Sequence, residues 1–209
     1  VLEGNVGGRT GKTYSEYPIH AAALQFIREN KERPFLCYMP ITPPHGMYDI
    51  PADDPAWELY KNEAWMRDPT ISQDTKNYAA MVSMVDREVG NVLDLLHELG
   101  LEENTIVFFT GDNGGQDRFK RKEQLRGFFG TNVNPENGVE FRGGKGNLYE
   151  GGLKIPFLVR WPGVVAANTV RDLVFYQPDL MATIADLTNT KAPEDTDGIS
   201  IAPTLLGAD

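Results

Sequence analysis

Basic residues, paired cysteines and long apolar runs are what this sequence has least of. Lys and Arg number 20 against 30 Asp and Glu, a formal net charge of −10 over 209 residues. That balance argues against a nucleic-acid or anionic-membrane partner. An anionic small substrate stays possible, because a few lysines can dominate a pocket while the surface remains acidic. The single cysteine, Cys37, excludes an internal disulfide and is compatible with cytosol or periplasm alike. No run of about 18 apolar residues exists, so no membrane-spanning helix is expected. There is no initiator Met and no hydrophobic leader; the Gly-rich opening reads as loop, and the expectation is that the chain begins within something larger. Arg9-Thr-Gly-Lys12 lacks the second glycine and the preceding strand that a phosphate loop requires. With 41% hydrophobic and 24% charged residues, the remainder is ordinary globular material, long enough for one domain with a sizeable core.

What is present is organised around residues 105–115. The β-branched and aromatic run Thr105 to Thr110 stops at glycines, with Asp112 and Asn113 set between them. A buried strand of an α/β sheet that delivers oxygen donors to its carboxyl end has this form, and ligands of open α/β sheets bind there. A carboxylate beside an amide suits a hard cation such as calcium or magnesium. The same residues also make an ordinary turn. A long helix from Asp74 or Thr75 to Leu99 precedes this strand, with Tyr78, Met81, Val82, Val85, Val89, Val92, Leu93, Leu96 and Leu99 as its apolar stripe. Gly100 ends it, and His97 sits in the last turn where the helix dipole favours a cation.

Upstream, residues 17–31 have helical spacing, and Phe35-Leu-Cys-Tyr-Met39 reads as a short buried strand with Cys37 as a small hydrophobe. His45 follows in the loop Pro40-Ile-Thr-Pro-Pro-His, where functional residues tend to collect. Residues 48–70 read as an irregular surface excursion of the kind that forms substrate-facing lids. Downstream, Asp117 to Asn137 is a basic loop. Phe141-Arg-Gly-Gly-Lys-Gly-Asn-Leu-Tyr-Glu-Gly-Gly packs five glycines around Lys145 and Glu150, so a compact cationic head can approach an oxyanion closely. Ile155 to Arg160 is a further strand ended by Trp161-Pro-Gly, and Pro178 to Leu187 a short helix with Pro at its start.

Four of these stretches together resemble the sulfatase family of the alkaline-phosphatase-like superfamily. They are the helix and strand from Tyr78 to Gly114, the block Gly143 to Pro156 with Arg160-Trp-Pro-Gly, the segment Pro34 to His45, and Asp179 to Leu187 with Asp197-Gly-Ile-Ser. The resemblance implies an α/β fold, a mostly parallel sheet flanked by helices, incomplete on its N-terminal side. It implies hydrolysis of sulfate esters, with Asp112 and Asn113 as ligands of a divalent cation, usually calcium. Lys145 would contact the sulfate and the leaving oxygen, and His45 would give that oxygen its proton. A sulfate-ester small molecule or sulfated glycan would be the substrate, and export to the periplasm or outside the cell is the family habit.

The family's nucleophile, a formylglycine made from the first residue of Cys/Ser-x-Pro-x-Arg, has no counterpart. Cys37, Ser15 and Ser200 each have Pro one place too late and no Arg in position. The paired-aspartate strand that supplies the family's other metal ligands is also missing. Residues 1–209 therefore read as part of a sulfatase catalytic domain, without activity as an isolated chain, and with an open sheet edge able to drive self-association. Two other readings fit the same residues: a non-catalytic sulfatase-like protein that binds sulfated glycans or a partner, and a phosphodiesterase or phosphonate hydrolase of the same superfamily.

Overall fold

A computed structural model describes residues 12–116, 133–134 and 136–208. The basic charges at 118–126 and nearly all of the Gly-rich lead lie outside the described residues. The chain divides into two compact units, residues 1–101 with 113–154 and residues 102–112 with 155–209.

The first unit is built on two helices, α1 (Glu16–Asn30) and α3 (Gln73–Glu98). Both fall where the spacing of apolar residues places them. Ser72 caps α3, its hydroxyl accepting from the Thr75 amide at 3.2 Å. Gly100, at φ +66°, closes it. The Leu101 N–H reaches the Leu96 carbonyl at 2.8 Å and the Gly100 N–H that of His97 at 3.0 Å, the paired bonds of a left-handed C-terminal cap. The buried face of α3 carries Thr75, Ala79, Ala80, Met81, Met84, Glu88, Leu95 and Leu96, while Val82, expected on that stripe, is exposed.

Residues 48–70 are largely exposed, as an excursion would be, but they also reach into the core through Tyr48, Ile50, Asp54 and Ala56. They include a short helix α2 (Trp57–Tyr60) and a 3-10 turn (Ala64–Arg67), and supply half of one buried cluster. Tyr48, Ile50 and Ala56 pack with Ala80, Met81 and Met84. Of the acids in this stretch Asp54 is tied inward, while Asp49, Asp53, Glu58 and Glu63 stay exposed. Asp54, wholly buried at its side chain, takes both terminal nitrogens of Arg87 at 2.8 and 2.9 Å, the Tyr17 hydroxyl at 2.6 Å and the Ala56 amide at 2.7 Å. Tyr60 bonds Ser83 at 2.6 Å, and Lys76 Nζ donates to the Met66 carbonyl at 2.7 Å.

The stretch Phe35–Met39, expected as a buried strand, forms no ladder. It is extended, with Phe35, Cys37 and Met39 half-buried while Leu36 and Tyr38 face out at 67% and 84% exposure. The alternation is that of a strand, but among the described residues none pairs with it.

In the second unit β1 (Val107–Thr110) pairs antiparallel with β2 (Phe157–Arg160), Val107 opposite Arg160 and Thr110 opposite Phe157. This is the one two-stranded sheet of the described residues. Phe157 stacks on Phe175 with ring centroids 4.0 Å apart. Helix α5 (Pro178–Leu187) is pinned to the following chain by Asp179, which accepts from the Tyr176 amide at 3.0 Å and the Ile199 amide at 2.7 Å. Gly198 must be glycine here, because a Cβ would sit 2.1 Å from the Pro178 carbonyl oxygen.

Burial by itself raises the Asp54 carboxyl, but hydrogen bonds from Arg87, Tyr17 and the Ala56 amide overcome it and hold the group below the usual carboxylate range. A depressed folded-state pKa gives stability that is present above the unfolded value and lost as pH falls through the folded one. Asp54→Ala is expected to cost about 3 kcal/mol in urea unfolding at pH 7, because it leaves Arg87 without its counter-charge. It should also remove part of the loss of stability below about pH 4.

Candidate active site

His45 stands in a turn closed by its own amide, which donates to the Thr42 carbonyl at 3.0 Å. Its Nδ1 lies 2.9 Å from the Gly46 carbonyl oxygen. A carbonyl only accepts, so Nδ1 carries the hydrogen and Nε2 is the nitrogen left to exchange a proton. The ring is exposed. The turn rests on α3 through Tyr48. A Cβ on Gly46 would come within 3.2 Å of the Tyr48 ring, Tyr48 meets Tyr78 edge-on at 5.8 Å, and the Tyr48 carbonyl accepts from Asn77 Nδ2 at 2.8 Å.

Lys145 and Asn113 lie on two loops zipped together by backbone. The Lys145 amide donates to the Gly115 carbonyl at 2.8 Å, and the Gly114 amide to the Gly152 carbonyl at 2.9 Å. Within the longer loop, Gly151 N–H donates to the Arg142 carbonyl at 3.0 Å and Asn147 N–H to that of Gly144 at 3.0 Å. The glycines exist for this contact. A Cβ on Gly114 would lie 2.1 Å from the Gly151 carbonyl oxygen, one on Gly151 2.0 Å from that of Gly143, and one on Gly152 2.1 Å from that of Asn147. Gly143 and Gly146 take φ of +69° and +89°, which glycine adopts without strain. The Arg142 guanidinium covers the Tyr149 ring at 3.7 Å, stiffening the far side of the loop before the short helix α4 (Glu150–Leu153).

Asp112 follows β1 by two residues and is exposed. The Gly111 amide continues the ladder to the Pro156 carbonyl at 3.3 Å, and Gln177 Nε2 donates to the Gly111 carbonyl at 2.8 Å. Gln177 thus holds the strand end beside Asp112. It went unnoticed in the sequence, where a glutamine before Pro178 reads only as the start of a helix. Asn113 Nδ2 donates to the Gly114 carbonyl at 3.1 Å, which leaves its Oδ1 uncommitted. A carboxylate and an amide oxygen are donors suited to a hard cation. Among the described residues no group of three or more His, Cys, Asp or Glu is placed to hold a metal. The structure joins the loops of Asn113 and Lys145; among the described residues no hydrogen bond or ion pair joins His45 to either.

Solved structures of similar shape define the class. The chain matches the crystal structure of Ps i-CgsB in complex with k-i-k-neocarrahexaose at 28% identity and a TM-score of 0.75, covering 97% of this chain and 41% of that one. It matches the PsFucS1 sulfatase from Pseudoalteromonas sp. at 26% identity and 0.66, covering 92% and 34%. The fold is the α/β fold of the alkaline-phosphatase-like superfamily. The Sulfatase family profile matches residues 4–190, and the chain belongs to that family. Among curated relatives it is 35% identical to the steryl-sulfatase of Mus musculus over 96% of this chain, and 34% identical to an N-acetylgalactosamine-6-O-sulfatase of Bacteroides thetaiotaomicron over 90%. It spans 28% and 33% of the length of those two proteins.

Gly151→Ala should break the loop zipper, costing about 1–3 kcal/mol of overpacking and exposing the Lys145 and Gly114 amides to hydrogen exchange. Gly90→Ala, with nothing within 4 Å of the new Cβ in α3, is the control and should gain about 0.5–1 kcal/mol.

Proposed function

We propose that this chain carries the cation-binding strand end and the leaving-group apparatus of a sulfate-ester hydrolase. The observation that carries this reading is the glycine-enforced zipper between the loops of Asn113 and Lys145. It holds the backbone of Lys145 against that of Gly115, two residues after Asn113. Asp112 and Asn113 would hold the divalent cation, calcium or magnesium. When bound, it would polarise sulfate oxygens as a Lewis acid. Lys145 would bind a sulfate oxygen and the ester oxygen, where negative charge grows as the S–O bond breaks. His45, charged and donating from Nε2, would hand its proton to the departing alkoxide as general acid.

The chain has no Cys/Ser-x-Pro-x-Arg motif, so the formylglycine nucleophile is not among its residues, and no step is assigned to one. The isolated chain is therefore expected to bind but not to turn over. Relatives named for a steroid sulfate and for an N-acetylgalactosamine sulfate are matched about equally well. That supports sulfate esters as the substrate class and leaves the alcohol undefined, with a sulfated glycan or a small sulfate ester both admitted. A second reading is a non-catalytic protein that binds sulfated glycans. The coding sequence adjoining Val1 discriminates: an in-frame Cys/Ser-x-Pro-x-Arg supports the enzyme.

Two measurements test the proposal. The 209-residue chain should bind calcium weakly by calorimetry, in the millimolar range typical of sparsely liganded sites, and Asp112→Ala should abolish that binding. Tight stoichiometric binding would show a fuller donor set than two residues. Joined to a nucleophile-bearing segment, the chain should support hydrolysis of an aryl sulfate, with Lys145→Ala and His45→Ala each lowering kcat about 10²-fold or more. Unchanged kcat in both variants overturns the assignment. The exposed Leu36, Tyr38 and Leu158 beside unpaired strand edges further predict self-association of the chain. A monodisperse monomer by light scattering would refute that.

A further inference from the structure

Glu16 on α1 and Glu88 on α3 are 1% and 2% exposed, and neither has a place in the chemistry above. Both oxygens of Glu16 and Oε2 of Glu88 are buried without a hydrogen-bond donor among the described residues. Two facing buried carboxylates with no compensation would cost several kcal/mol, so something must neutralise one of them. The nearby groups are otherwise engaged. Arg87, the cation beside Glu88, commits both terminal nitrogens to Asp54. His20 cannot serve: Asn91 Nδ2 lies 3.2 Å from its Nε2, and an amide nitrogen donates, so Nε2 is the unprotonated nitrogen and the ring is neutral. Its Nδ1 is buried without an acceptor. Among the described residues Tyr14, Tyr17, Asp49 and Asp54 complete the titratable surroundings and offer no positive charge. The Thr42 backbone N–H faces Glu16 without completing a hydrogen bond.

We propose that Glu16 and Glu88 share one proton across the α1–α3 seam, and that losing it loosens the seam together with the Thr42–His45 turn that Glu16 abuts. A carboxyl–carboxylate pair satisfies the burial that neither group tolerates alone, because the protonated partner becomes the missing donor. Glu88 is the proton's holder. Burial first, then the Glu16 charge, push it up to about 8, and the bond to Glu16 adds to the shift. Burial raises Glu16 too, opposed by the Thr42 amide and by Glu88 itself. On deprotonation two like charges face each other between helices, and the Thr42 backbone of the turn bearing His45 faces one of them. The proposal concerns packing and holds whether or not His45 is the general acid.

The sign follows from linkage. A carboxyl raised in the folded state stabilises fully below its unfolded value and loses that stabilisation as pH rises toward the folded one. His20, lowered by burial and then by Arg87, contributes until its unfolded-state imidazole has lost its proton, about one pH unit above its ordinary value near 6.5. The clean window therefore runs from about pH 7.5 to 8. In the 209-residue chain, the folding equilibrium constant from urea titration should fall with pH across this window, by about three- to sixfold per pH unit as Glu88 passes from mostly to half protonated. Glu88→Gln should flatten that slope, and amide exchange at Thr42, His45 and Gly46 should lose its excess acceleration with pH. A slope in Glu88→Gln equal to that of the parent chain overturns the proposal. Should that variant not fold, a carbon-13 titration of the Glu88 carboxyl in the parent chain decides: an inflection near 8 supports the shared proton, and one near 4.5 sinks it.

Discussion

Arg87 is a single guanidinium beside two buried acids, Asp54 and Glu88, and it gives both terminal nitrogens to Asp54. Much of the first unit depends on that choice. Asp54 is the residue that turns 48–70 inward, so Tyr48, Ile50 and Ala56 reach Met81 and Met84. Tyr48 in turn is the footing of the His45 turn. Bidentate pairing of this kind is geometrically demanding, and a lysine at 87 could not reproduce it. Glu88 is left to the other side of α3, where a proton does what a cation would otherwise do. The two acids consequently respond to pH in opposite directions, Asp54 losing its stabilisation on the acid side and Glu88 on the alkaline side.

The loops of the candidate site are governed by a different constraint, the absence of side chains. Gly114, Gly151 and Gly152 let backbone meet backbone at distances that any Cβ would forbid. Rigidity there does not come from packing apolar bulk but from amides and carbonyls paired across the contact, Lys145 to Gly115 and Gly114 to Gly152. Such an arrangement holds the Lys145 backbone without adding side-chain bulk to the contact. Positioned charge with little reorganisation is what electrostatic stabilisation of a leaving oxygen requires.

These two constraints differ in how far the sequence reveals them. Glycine is informative because it is costly wherever it is not needed, so the cluster from Gly143 to Gly152 and the Asp-Asn pair within Gly111–Gly115 were legible before any coordinates. The helices were legible too, since α3 keeps its apolar period for seven turns and ends on Gly100. Residues 48–70 misled because prolines and acids usually mark surface. Nothing local distinguishes Asp54, bound by an arginine 33 residues away, from Asp53, which is exposed. Phe35–Met39 misled for the complementary reason: its composition is that of a strand, and pairing is a property of a neighbour and not of the segment.

Val82 and Glu88 make the same point on one helix. An apolar residue is exposed and a carboxyl buried, at positions six apart. Period alone assigns faces by hydrophobicity, and it fails where a polar group has a private partner. The partner of Glu88 is another glutamate, a pairing that charge counting forbids unless a proton is added to the count. A proton does not appear in a sequence, but it can be inferred where, among the described residues, every other source of compensation is already spoken for. Residues that look wrong for their burial are therefore where further chemistry is found, once Arg87, His20 and the backbone amides around them have each been assigned to a bond.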